Sequence, residues 1–587
     1  MNYALNRPKN KKTKGATTRA LKRLAPLLSR EKANIALAVF AALVWAVAAL
    51  LDPIIIGRAV DLYIKNNDYR GVVVSLWQLL AVYLVTLAAS YVQTLALGGV
   101  GRRVLFGLRN NLFAKLQELP AAFFNQNKSG DLISRINNDT DKLNQFIGQA
   151  LMQLMRSSFI VVGAGIFLLS LNFRLGAAAL IPAAIVLVVT RLLASWVEAA
   201  NLKSLQMTGQ MSSEIQESLA NFKVVATFNR LDYFRDKFNG VNVNNFSAAV
   251  KAGIASNIFT PIYGVASTLA QLVVLGYGIY LIGNGNFTIG LLIGYLLYVN
   301  SFYGPLRQLA TVWPTLQLAF AAIDRISEVL ALKSDMKIAE DKFGGGRDDC
   351  QMEFRNVSFT YPEGKTVLNK VNLKLQKGKT YALVGPTGGG KTTTASLMAR
   401  LYDASEGAIL LEGKDIRSYA PEVRTQKIGF ILQEPLLFTG TIRDNIVYGN
   451  EKYLRCTDEQ LAKALQEAGL SGLVARFADG LKTKIASNAN TISLGQKQLI
   501  AFIRAVLRKP DLLILDEATA NIDTVTEQLL EEIIKKLPRE TTKVIIAHRL
   551  NTIDNADEIY FVNAGEITPA GSMSQAVKML TGQKRTS

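Results

Sequence analysis

The chain has very little histidine and cysteine: one His and two Cys among 587 residues. The two cysteines, Cys350 and Cys456, lie far apart, and neither belongs to a CxxC pair. This argues against a disulfide framework and against a cysteine-based zinc site. Charged residues are also scarce, at 19% of the chain, which is low for a soluble protein.

The charge that is present is mostly positive, with 66 Lys and Arg against 46 Asp and Glu and a formal net charge of +20. A nucleic-acid-binding protein is one class with such an excess. Here, however, the basic residues form no single patch interleaved with aromatics, and many lie beside apolar stretches. The positive-inside bias of membrane proteins explains that distribution better. We therefore expect no nucleic-acid partner.

Long apolar runs occupy the first half of the chain. Asp52 is the only charged residue between Lys32 and Arg58, and no charge occurs from Gly71 to Gly101 or from Ala252 to Leu306. A helix of roughly 20 apolar residues crosses a bilayer. After a basic tail at 1–32, we predict a transmembrane domain over 33–332 with six spans, at 33–57, 71–101, 144–172, 175–197, 254–282 and 288–311.

The orientation of the spans follows from the charges between them. The N-terminal tail and the segments near 102–156 and 198–251 are rich in Lys and Arg, so they are expected to face the cytoplasm. Helical patterns continue into these segments, which indicates helices that extend beyond the membrane. The expected location is a cell membrane, with the bacterial cytoplasmic membrane as the first candidate and lipids as neighbours.

The composition changes after a polar linker at 333–350. In residues 351–587, short β-branched runs such as "KTYALVGPT", "LLILDEA" and "KVIIAHR" alternate with helical patterns. This alternation predicts an α/β domain with a largely parallel sheet.

A phosphate-binding motif opens the chemistry of this second domain. "GPTGGGKT", at Gly385–Thr392, fits G-x-x-x-x-G-K-[ST] between a predicted strand and a predicted helix. Glycines let backbone N–H groups point at phosphate oxygens, and the helix N-terminus adds partial positive charge. The residues predicted to bind ATP here are Gly385, Pro386, Thr387, Gly388, Gly389, Gly390, Lys391, Thr392 and Thr393. Lys391 is expected to reach the β- and γ-phosphates, and the Thr392 hydroxyl to hold Mg²⁺.

The run "LLILDE" supplies two carboxylates at the end of a predicted buried strand. Asp516 is expected to face Mg²⁺, and Glu517 to act on an attacking water as a general base. Together these patterns predict an all-α six-helix transmembrane domain with long cytoplasmic extensions, followed by an α/β P-loop ATPase domain.

The order "GPTGGGKT", "ILQEP", "ISLGQKQ", "LLILDEATANID", "IIAHRL" resembles the nucleotide-binding domain of ABC transporters. With six preceding spans, the chain resembles a half-transporter of the exporter type, similar to multidrug and lipid exporters. Residues 123–143 and 215–230 resemble the two intracellular loops of the family. The resemblance implies that both loops end in short coupling helices that lie on the ATPase domains.

The resemblance also implies roles for residues outside the phosphate loop. Tyr361 matches the aromatic residue that stacks on adenine, and Gln433 matches a glutamine that contacts Mg²⁺ and water. Asp523 matches an aspartate at the dimer seam. His548, the single histidine, matches the residue that holds the γ-phosphate and orients Glu517. Catalysis is thus expected from Glu517, His548 and Gln433, and metal binding from Thr392, Gln433 and Asp516.

The signature loop of the family departs from its usual L-S-G-G-Q and appears as Ile492-Ser493-Leu494-Gly495-Gln496. The resemblance implies that Ser493, Gly495 and Gln496 contact the nucleotide held by a partner subunit. The bulky Leu494 stands where the first glycine is usual, which is similar to signatures found among heterodimeric exporters. The expected partner is a second half-transporter, either an identical or a different chain.

We therefore expect ATP-driven export of a small amphipathic molecule, such as a drug or lipid, by alternating access. Two alternatives use the same scaffold: an importer of a metal chelate, and an ATP-gated channel. The aromatic residues of the last two spans, including Tyr295, Tyr298 and Tyr303, fit either a substrate cavity or helix packing.

Overall fold

The computed structural model describes residues 3–5, 29–344, 349–362, 364, 366–486, 492–516, 524–546 and 556–582. The chain divides into two compact units. The helical unit comprises Asn6–Gln117 and Ser129–Ala331, and the sheet unit comprises Met1–Leu5, Glu118–Lys128 and Leu332–Ser587. Residues 118–128, which lie inside the predicted 33–332 domain, are thus part of the sheet unit.

Helices account for the described residues from 29 to 331 almost entirely. They are α1 Lys32–Arg58, α2 Tyr69–Glu118, α3 Ala121–Gln126, α4 Ser129–Ser134, α5 Thr140–Gln145, α6 Leu151–Leu171, α7 Phe173–Ala220, α8 Phe222–Thr227, α9 Leu231–Asn257, α10 Phe259–Gly283 and α11 Ile289–Leu330. Wider π-helical turns at Ala59–Ile64, Arg135–Asp139 and Phe146–Ala150 extend α1 and join α4, α5 and α6.

Six helical segments in the described part of the chain are long and apolar enough to cross a membrane, which confirms the six predicted spans. They are Ser29–Ile64, Tyr69–Glu118, Ser129–Leu171, Phe173–Ala220, Leu231–Gly283 and Ile289–Leu330. The 50 residues of α2 make about 75 Å of helix at 1.5 Å per residue. Since the hydrocarbon core is only about 30 Å thick, the predicted extensions beyond the membrane are confirmed.

The outer faces of the spans carry large apolar side chains. Trp77 and Leu87 of α2 are 66% and 68% exposed, and Leu192 of α7 is 72% exposed. Continuous exposed apolar surface of this kind is unfavourable in water and favourable against lipid tails.

The tyrosines of α11 pack between helices. Tyr298 donates its hydroxyl to the Leu50 carbonyl at 2.7 Å, and Tyr303 donates to the Ala179 carbonyl at 2.8 Å. Tyr295 donates to the Leu168 carbonyl, and all three rings are buried. The structure thus favours the packing interpretation for these three tyrosines.

A buried ion network joins the start of the third span to the end of the sixth. The guanidinium of Arg135 is buried and donates to Asp131 at 2.9 Å and to Glu328 at 2.8 Å. Arg325 donates to the other oxygen of Asp131 at 2.5 Å. Because each buried charge has an opposite partner, the network holds α4 and α11 together without an uncompensated charge.

The sheet unit contains a six-stranded sheet in the order β12-β11-β3-β10-β9-β6. Strands β3, β6, β9, β10 and β11 are parallel to one another, and β12 pairs antiparallel with β11 at the edge. A second sheet has the order β2-β1-β4-β5, and β7 pairs with β8. The strands are β1 Cys350–Thr360, β2 Thr366–Gln376, β3 Thr380–Val384, β4 Glu406–Leu411, β5 Lys414–Asp415, β6 Ile428–Ile431, β7 Gly440–Thr441, β8 Lys484–Ile485, β9 Leu512–Asp516, β10 Thr542–Ile546, β11 Glu558–Asn563 and β12 Glu566–Pro569.

Helices cover the sheet. They are α12 Lys391–Met398, α13 Pro421–Lys427, α14 Ile442–Val447, α15 Asp458–Glu467, α16 Ser471–Val474, α17 Leu494–Val506, α18 Thr524–Lys536 and α19 Met573–Gly582. Of these, α14–α17 form an apolar core with strands β6 and β9. Every residue of β9 and β10 is buried, as expected for central parallel strands covered on both faces. The predicted α/β domain with a largely parallel sheet is confirmed.

Replacing Arg135 by alanine is expected to destabilise the helical unit. The change removes the cation that Asp131 and Glu328 share, but Asp131 is 41% exposed and keeps Arg325 as a partner. The expected loss is therefore about 1–3 kcal/mol. The measurement is the apparent melting temperature of the detergent-solubilised protein. The control is Arg102→Ala, since Arg102 is exposed and has no ion pair among the described residues. Equal melting temperatures for the two variants would contradict a structural role for the network.

Candidate functional site

The parallel strands bring to one edge of the main sheet the ends of four strands that each lead into a predicted site segment. Ile546 of β10 lies opposite Leu383 of β3 and Asp516 of β9, and Ile431 of β6 lies opposite Leu515. The carboxyl ends of these strands are therefore level. Ligands in open α/β sheets bind outside this edge.

The phosphate loop begins directly after β3 and needs glycine for its shape. Gly385 has φ +150° and Gly390 has φ +116°, both in the region that L side chains rarely adopt. A Cβ on Gly385 would lie 2.0 Å from the Val562 carbonyl oxygen. The loop leads into α12, whose first residue is Lys391, so its N-terminal N–H groups adjoin the loop.

Lys391 is held inside the loop. Its side-chain Nζ donates to the carbonyl oxygens of Gly385 at 2.8 Å and Pro386 at 3.1 Å, and the residue is only 5% exposed. Phosphate oxygens are stronger acceptors for an ammonium than neutral carbonyls. A nucleotide phosphate can therefore compete for this donor at small structural cost.

The hydroxyl of Thr392 meets the carboxylate of Asp516. Thr392 Oγ1 lies 3.4 Å from Asp516 Oδ1, and Asp516 is 1% exposed at the end of β9. Mg²⁺ is usually held by one or two protein oxygens, with phosphates and waters completing its coordination. A hydroxyl and a carboxylate side by side next to the phosphate loop fit that ion.

Tyr361 contacts the helix that follows the loop. Its hydroxyl lies 3.1 Å from Thr393 Oγ1, and either oxygen can donate. The ring packs edge to face against Phe359 and Tyr402, with centroids 4.8 and 5.6 Å away. These contacts hold the ring beside the N-terminal turn of α12. The structure thus brings Tyr361 and the phosphate loop together.

Tyr402 also contacts the short helix α3. Asn125 of α3 donates from Nδ2 to the Tyr402 hydroxyl at 2.6 Å, and burial raises the pKa of Tyr402. A tyrosine hydroxyl is protonated at neutral pH even at its ordinary pKa, and the raised pKa favours that form further. Within the sheet unit, hydrogen-bonded and ring contacts run from Asn125 through Tyr402 to Tyr361.

The first described residues of the chain also contact α3 and the residue that follows it. Tyr3 is buried, and its backbone N–H donates to Gln126 Oε1 at 2.8 Å. Asn127 Nδ2 donates back to the Tyr3 carbonyl at 3.0 Å. Burial, together with a hydrogen bond to Asp335, raises the pKa of Tyr3 to about 12. In the sequence this region is part of a basic tail, and no motif there indicates the contact.

Gln433 and the signature loop are at the surface of the sheet unit. Gln433 follows β6 by two residues and is exposed. Ser493 caps α17: its Oγ accepts from the Gln496 N–H at 3.2 Å, and Gln496 Oε1 accepts from the Ser493 N–H at 3.0 Å. Leu494 is 42% exposed. Among the described residues, no side-chain hydrogen bond joins Ser493 or Gln496 to the phosphate loop.

Three predicted site residues, Glu517, Asp523 and His548, lie outside the described residues. In sequence, Glu517 directly follows Asp516, and His548 follows the end of β10 by two residues.

Arg156 is a further candidate site residue that the sequence motifs do not include. Arg156 lies 12 residues inside the predicted span 144–172. Its place in an otherwise uncharged apolar segment was the signal, because an arginine within a membrane span is rare and usually functional.

A six-span helical unit joined to a P-loop sheet unit defines the class: a membrane-embedded nucleotide-binding protein. Residues 35–306 match the family described as ABC transporter transmembrane region, and residues 368–520 match the family described as ABC transporter. The chain belongs to the ABC transporters, and it combines the transmembrane and ATP-binding regions in one polypeptide.

Relatives match over most of their own length. An uncharacterised ABC transporter ATP-binding protein of Bacillus subtilis is 32% identical over 98% of this chain and 94% of the relative. A fatty acid ABC transporter ATP-binding/permease protein of Mycobacterium bovis is 31% identical, over 87% and 80%. A multidrug resistance ABC transporter ATP-binding and permease protein of Lactococcus lactis is 31% identical, over 85% and 84%. The chain is thus an exporter-type, multi-pass membrane protein that binds ATP and couples its hydrolysis to transport, with the ATPase domain in the cytoplasm.

Lys391→Ala is expected to weaken nucleotide binding strongly. The change removes a charged donor to phosphate, worth about 1.5–3 kcal/mol or a ten- to hundredfold rise in Kd. The measurement is equilibrium binding of a fluorescent ATP analogue to the purified protein. Lys377→Ala serves as the control, since Lys377 lies in the turn before β3 and outside the loop. Unchanged Kd in Lys391→Ala would count against the phosphate-loop assignment.

Tyr361→Ala is expected to raise the Kd for ATP about tenfold, because a base–aromatic stack contributes about 1–3 kcal/mol. Tyr361→Phe keeps the ring and loses only the contact with Thr393, so its affinity should stay close to that of the wild type. Binding of ATP and of ribose triphosphate, which lacks the base, is compared in both variants. A parallel loss for the two ligands in Tyr361→Ala would show that the ring does not contact adenine.

Proposed function

We propose that this chain is one half of an exporter that moves a small amphipathic molecule, such as a drug or a lipid, out of the cytoplasm. The observation that carries the proposal is the juxtaposition of Lys391, Thr392 and Asp516 at one sheet edge in a chain with six membrane spans. Of the relatives above, the Mycobacterium bovis protein is named a fatty acid transporter and the Lactococcus lactis protein a multidrug resistance transporter. Their names support an amphipathic substrate.

The proposed roles at the ATP site follow from chemistry. Lys391 binds the β- and γ-phosphates as a cationic donor, and Thr392 and Asp516 hold Mg²⁺, which supplies positive charge to the phosphate oxygens. Glu517 accepts a proton from the attacking water as it adds to the γ-phosphorus. The bond from the γ-phosphorus to the β–γ bridging oxygen breaks, and ADP leaves. Gln433 positions that water, and His548 hydrogen-bonds to the γ-phosphate and orients Glu517.

The proposed partner is a second half-transporter, identical or different. Ser493 and Leu494 stand exposed at the N-terminus of α17, where the helix end favours an anion. A partner's phosphate loop can meet this end, with Ser493, Gly495 and Gln496 contacting its γ-phosphate and Asp523 at the seam. Two ATP sites then form, each between the phosphate loop of one subunit and the signature loop of the other. Leu494 narrows the site that receives the signature loop of this chain.

Exposed apolar surfaces support such a partner. On α8, Phe222 and Val224 are exposed. In the sheet unit, Leu436 and Phe438 line an exposed cavity of about 190 Å³ together with Tyr448. Unpaired apolar groups of this kind mark protein–protein interaction surfaces. We propose that both surfaces are covered in the dimer.

The proposed cycle is alternating access. ATP bound between the two sheet units stabilises the closed dimer, and the closed dimer favours a cavity open to the outside. Hydrolysis through Glu517 removes that stabilisation and returns the cavity to the cytoplasmic side. This coupling requires ATP to bind the closed state more tightly than the open state.

The substrate and partner are tested together. The chain is purified alone and with any co-purifying half-transporter, and its ATPase activity is measured across drugs, lipids and peptides. ATP-dependent uptake into inside-out vesicles tests the direction. Uptake into right-side-out vesicles alone, or single-channel currents, would favour the importer or the channel instead.

Glu517→Gln is expected to bind ATP with near-normal Kd and to lose most turnover, at least about a hundredfold, because the general base is absent. The measurements are phosphate release and nucleotide-dependent dimer trapping. The control is Glu540→Gln, since Glu540 is exposed and lies outside the motif; this variant should behave as wild type. Near-wild-type phosphate release from Glu517→Gln would refute the role of Glu517.

A further inference from the structure

The helical unit contains a polar cavity of about 340 Å³ within its membrane-spanning part. Its polar wall consists of Gln149, Gln153, Ser157, Gln308 and Arg156, and Trp45 supplies an aromatic side. Amide and hydroxyl groups are uncommon in such number between membrane helices, since each costs free energy in an apolar environment unless it is paired.

The depth of the cavity places it inside the bilayer. Arg156 precedes the last residue of α6, Leu171, by 15 residues, which is about 22 Å of helix. The hydrocarbon core is about 30 Å thick. With Leu171 at the outer edge of that core, Arg156 lies within it, in the half nearer the cytoplasm.

The cation in this cavity has only neutral partners. Arg156 Nε donates to Gln93 Oε1 at 2.5 Å, and Nη2 donates to Ser90 Oγ at 2.8 Å. The guanidinium carbon lies 5.0 Å from the centroid of the Trp45 ring. Within the described part of the chain, Arg156 forms no ion pair, and its Nη1 donates to no protein acceptor.

Gln93, which accepts from Arg156, lies behind the cavity wall. It is 0% exposed and does not line the cavity. Of the guanidinium, Nη1 is therefore the donor left for a ligand, beside one positive charge. An acceptor that carries negative charge would bond to Nη1 and pair that charge.

We propose that this cavity binds the anionic headgroup of the transported amphiphile, a carboxylate or a phosphate, through the guanidinium of Arg156. The inference rests on the proposed export of amphipathic molecules and adds that the transported headgroup is negatively charged. Trp45, Met152 and Pro305 form the apolar part of the cavity wall, where the first carbons of the tail lie. A cationic headgroup is repelled by Arg156, and a neutral one leaves the charge of Arg156 unpaired.

The test measures binding of four amphiphiles that share a 12-carbon tail. A dodecanoate with a fluorophore at its tail end is bound to the full-length protein, with any required partner, in nanodiscs of zwitterionic lipid. Unlabelled dodecanoate, dodecyl phosphate, dodecyltrimethylammonium and dodecyl maltoside then compete for it. We expect the two anions to compete at concentrations at least about tenfold lower than those needed of the cation and the neutral detergent. Comparing dodecanoate with dodecyl phosphate distinguishes a carboxylate from a phosphate ligand.

Variants assign the preference to Arg156. Arg156→Gln should weaken dodecanoate binding about ten- to hundredfold and abolish the preference for anions. Arg156→Lys, which keeps the charge, should retain most of that preference even if its melting temperature is lower. The control is Arg191→Gln, because Arg191 is exposed on α7 and does not line the cavity; its binding should equal that of the wild type.

Failure of this inference and failure of the export proposal give different results. Equal competition by all four amphiphiles, or unchanged dodecanoate binding in Arg156→Gln, would overturn the Arg156 site. ATP-dependent uptake of the cationic or neutral amphiphile, but of neither anion, would also overturn it and leave the export proposal intact. Arg156-dependent anion binding without uptake of any of the four would preserve the site and contradict export of these amphiphiles.

Discussion

Parallel pairing of β3, β10 and β9 is the constraint on which the ATP site depends. It sets Leu383, Ile546 and Asp516 at the same level. As a result, the phosphate loop and the buried carboxylate begin at a common edge. The Thr392–Asp516 contact and the position of Lys391 are consequences of that register. A shift of one residue in β9 would turn Asp516 to the opposite face of the sheet.

Two arginines of the helical unit differ in the partners that surround their charges. Arg135 forms ion pairs with carboxylates on two helices, and these pairs join the helices. Arg156 is held by an amide, a hydroxyl and an indole ring, none of which carries negative charge. The charge of Arg135 is neutralised within the protein, whereas the charge of Arg156 has no anionic partner among the described residues.

Much of the fold could be predicted because it rests on local patterns. Runs such as 71–101 without a charged residue are incompatible with a loop in water and long enough for a span, and the six spans follow from them. The phosphate loop was equally predictable, since a backbone that points N–H groups inward requires glycine at Gly385 and Gly390. The resemblance to ABC transporters ordered these motifs, and family membership is confirmed.

The sequence alone determined how many helices cross the membrane, where a glycine-dependent loop follows β3 and to which family the chain belongs, because each depends on neighbouring residues. Tertiary structure decided what depends on residues distant in the chain. Tyr298 packs against Leu50 and not into a cavity, Asn125 reaches Tyr402, and Arg156 lies among Ser90, Gln93 and Trp45. The physical reason is that hydrogen bonds and charges act over a few ångströms of space, and sequence patterns record distance only along the chain.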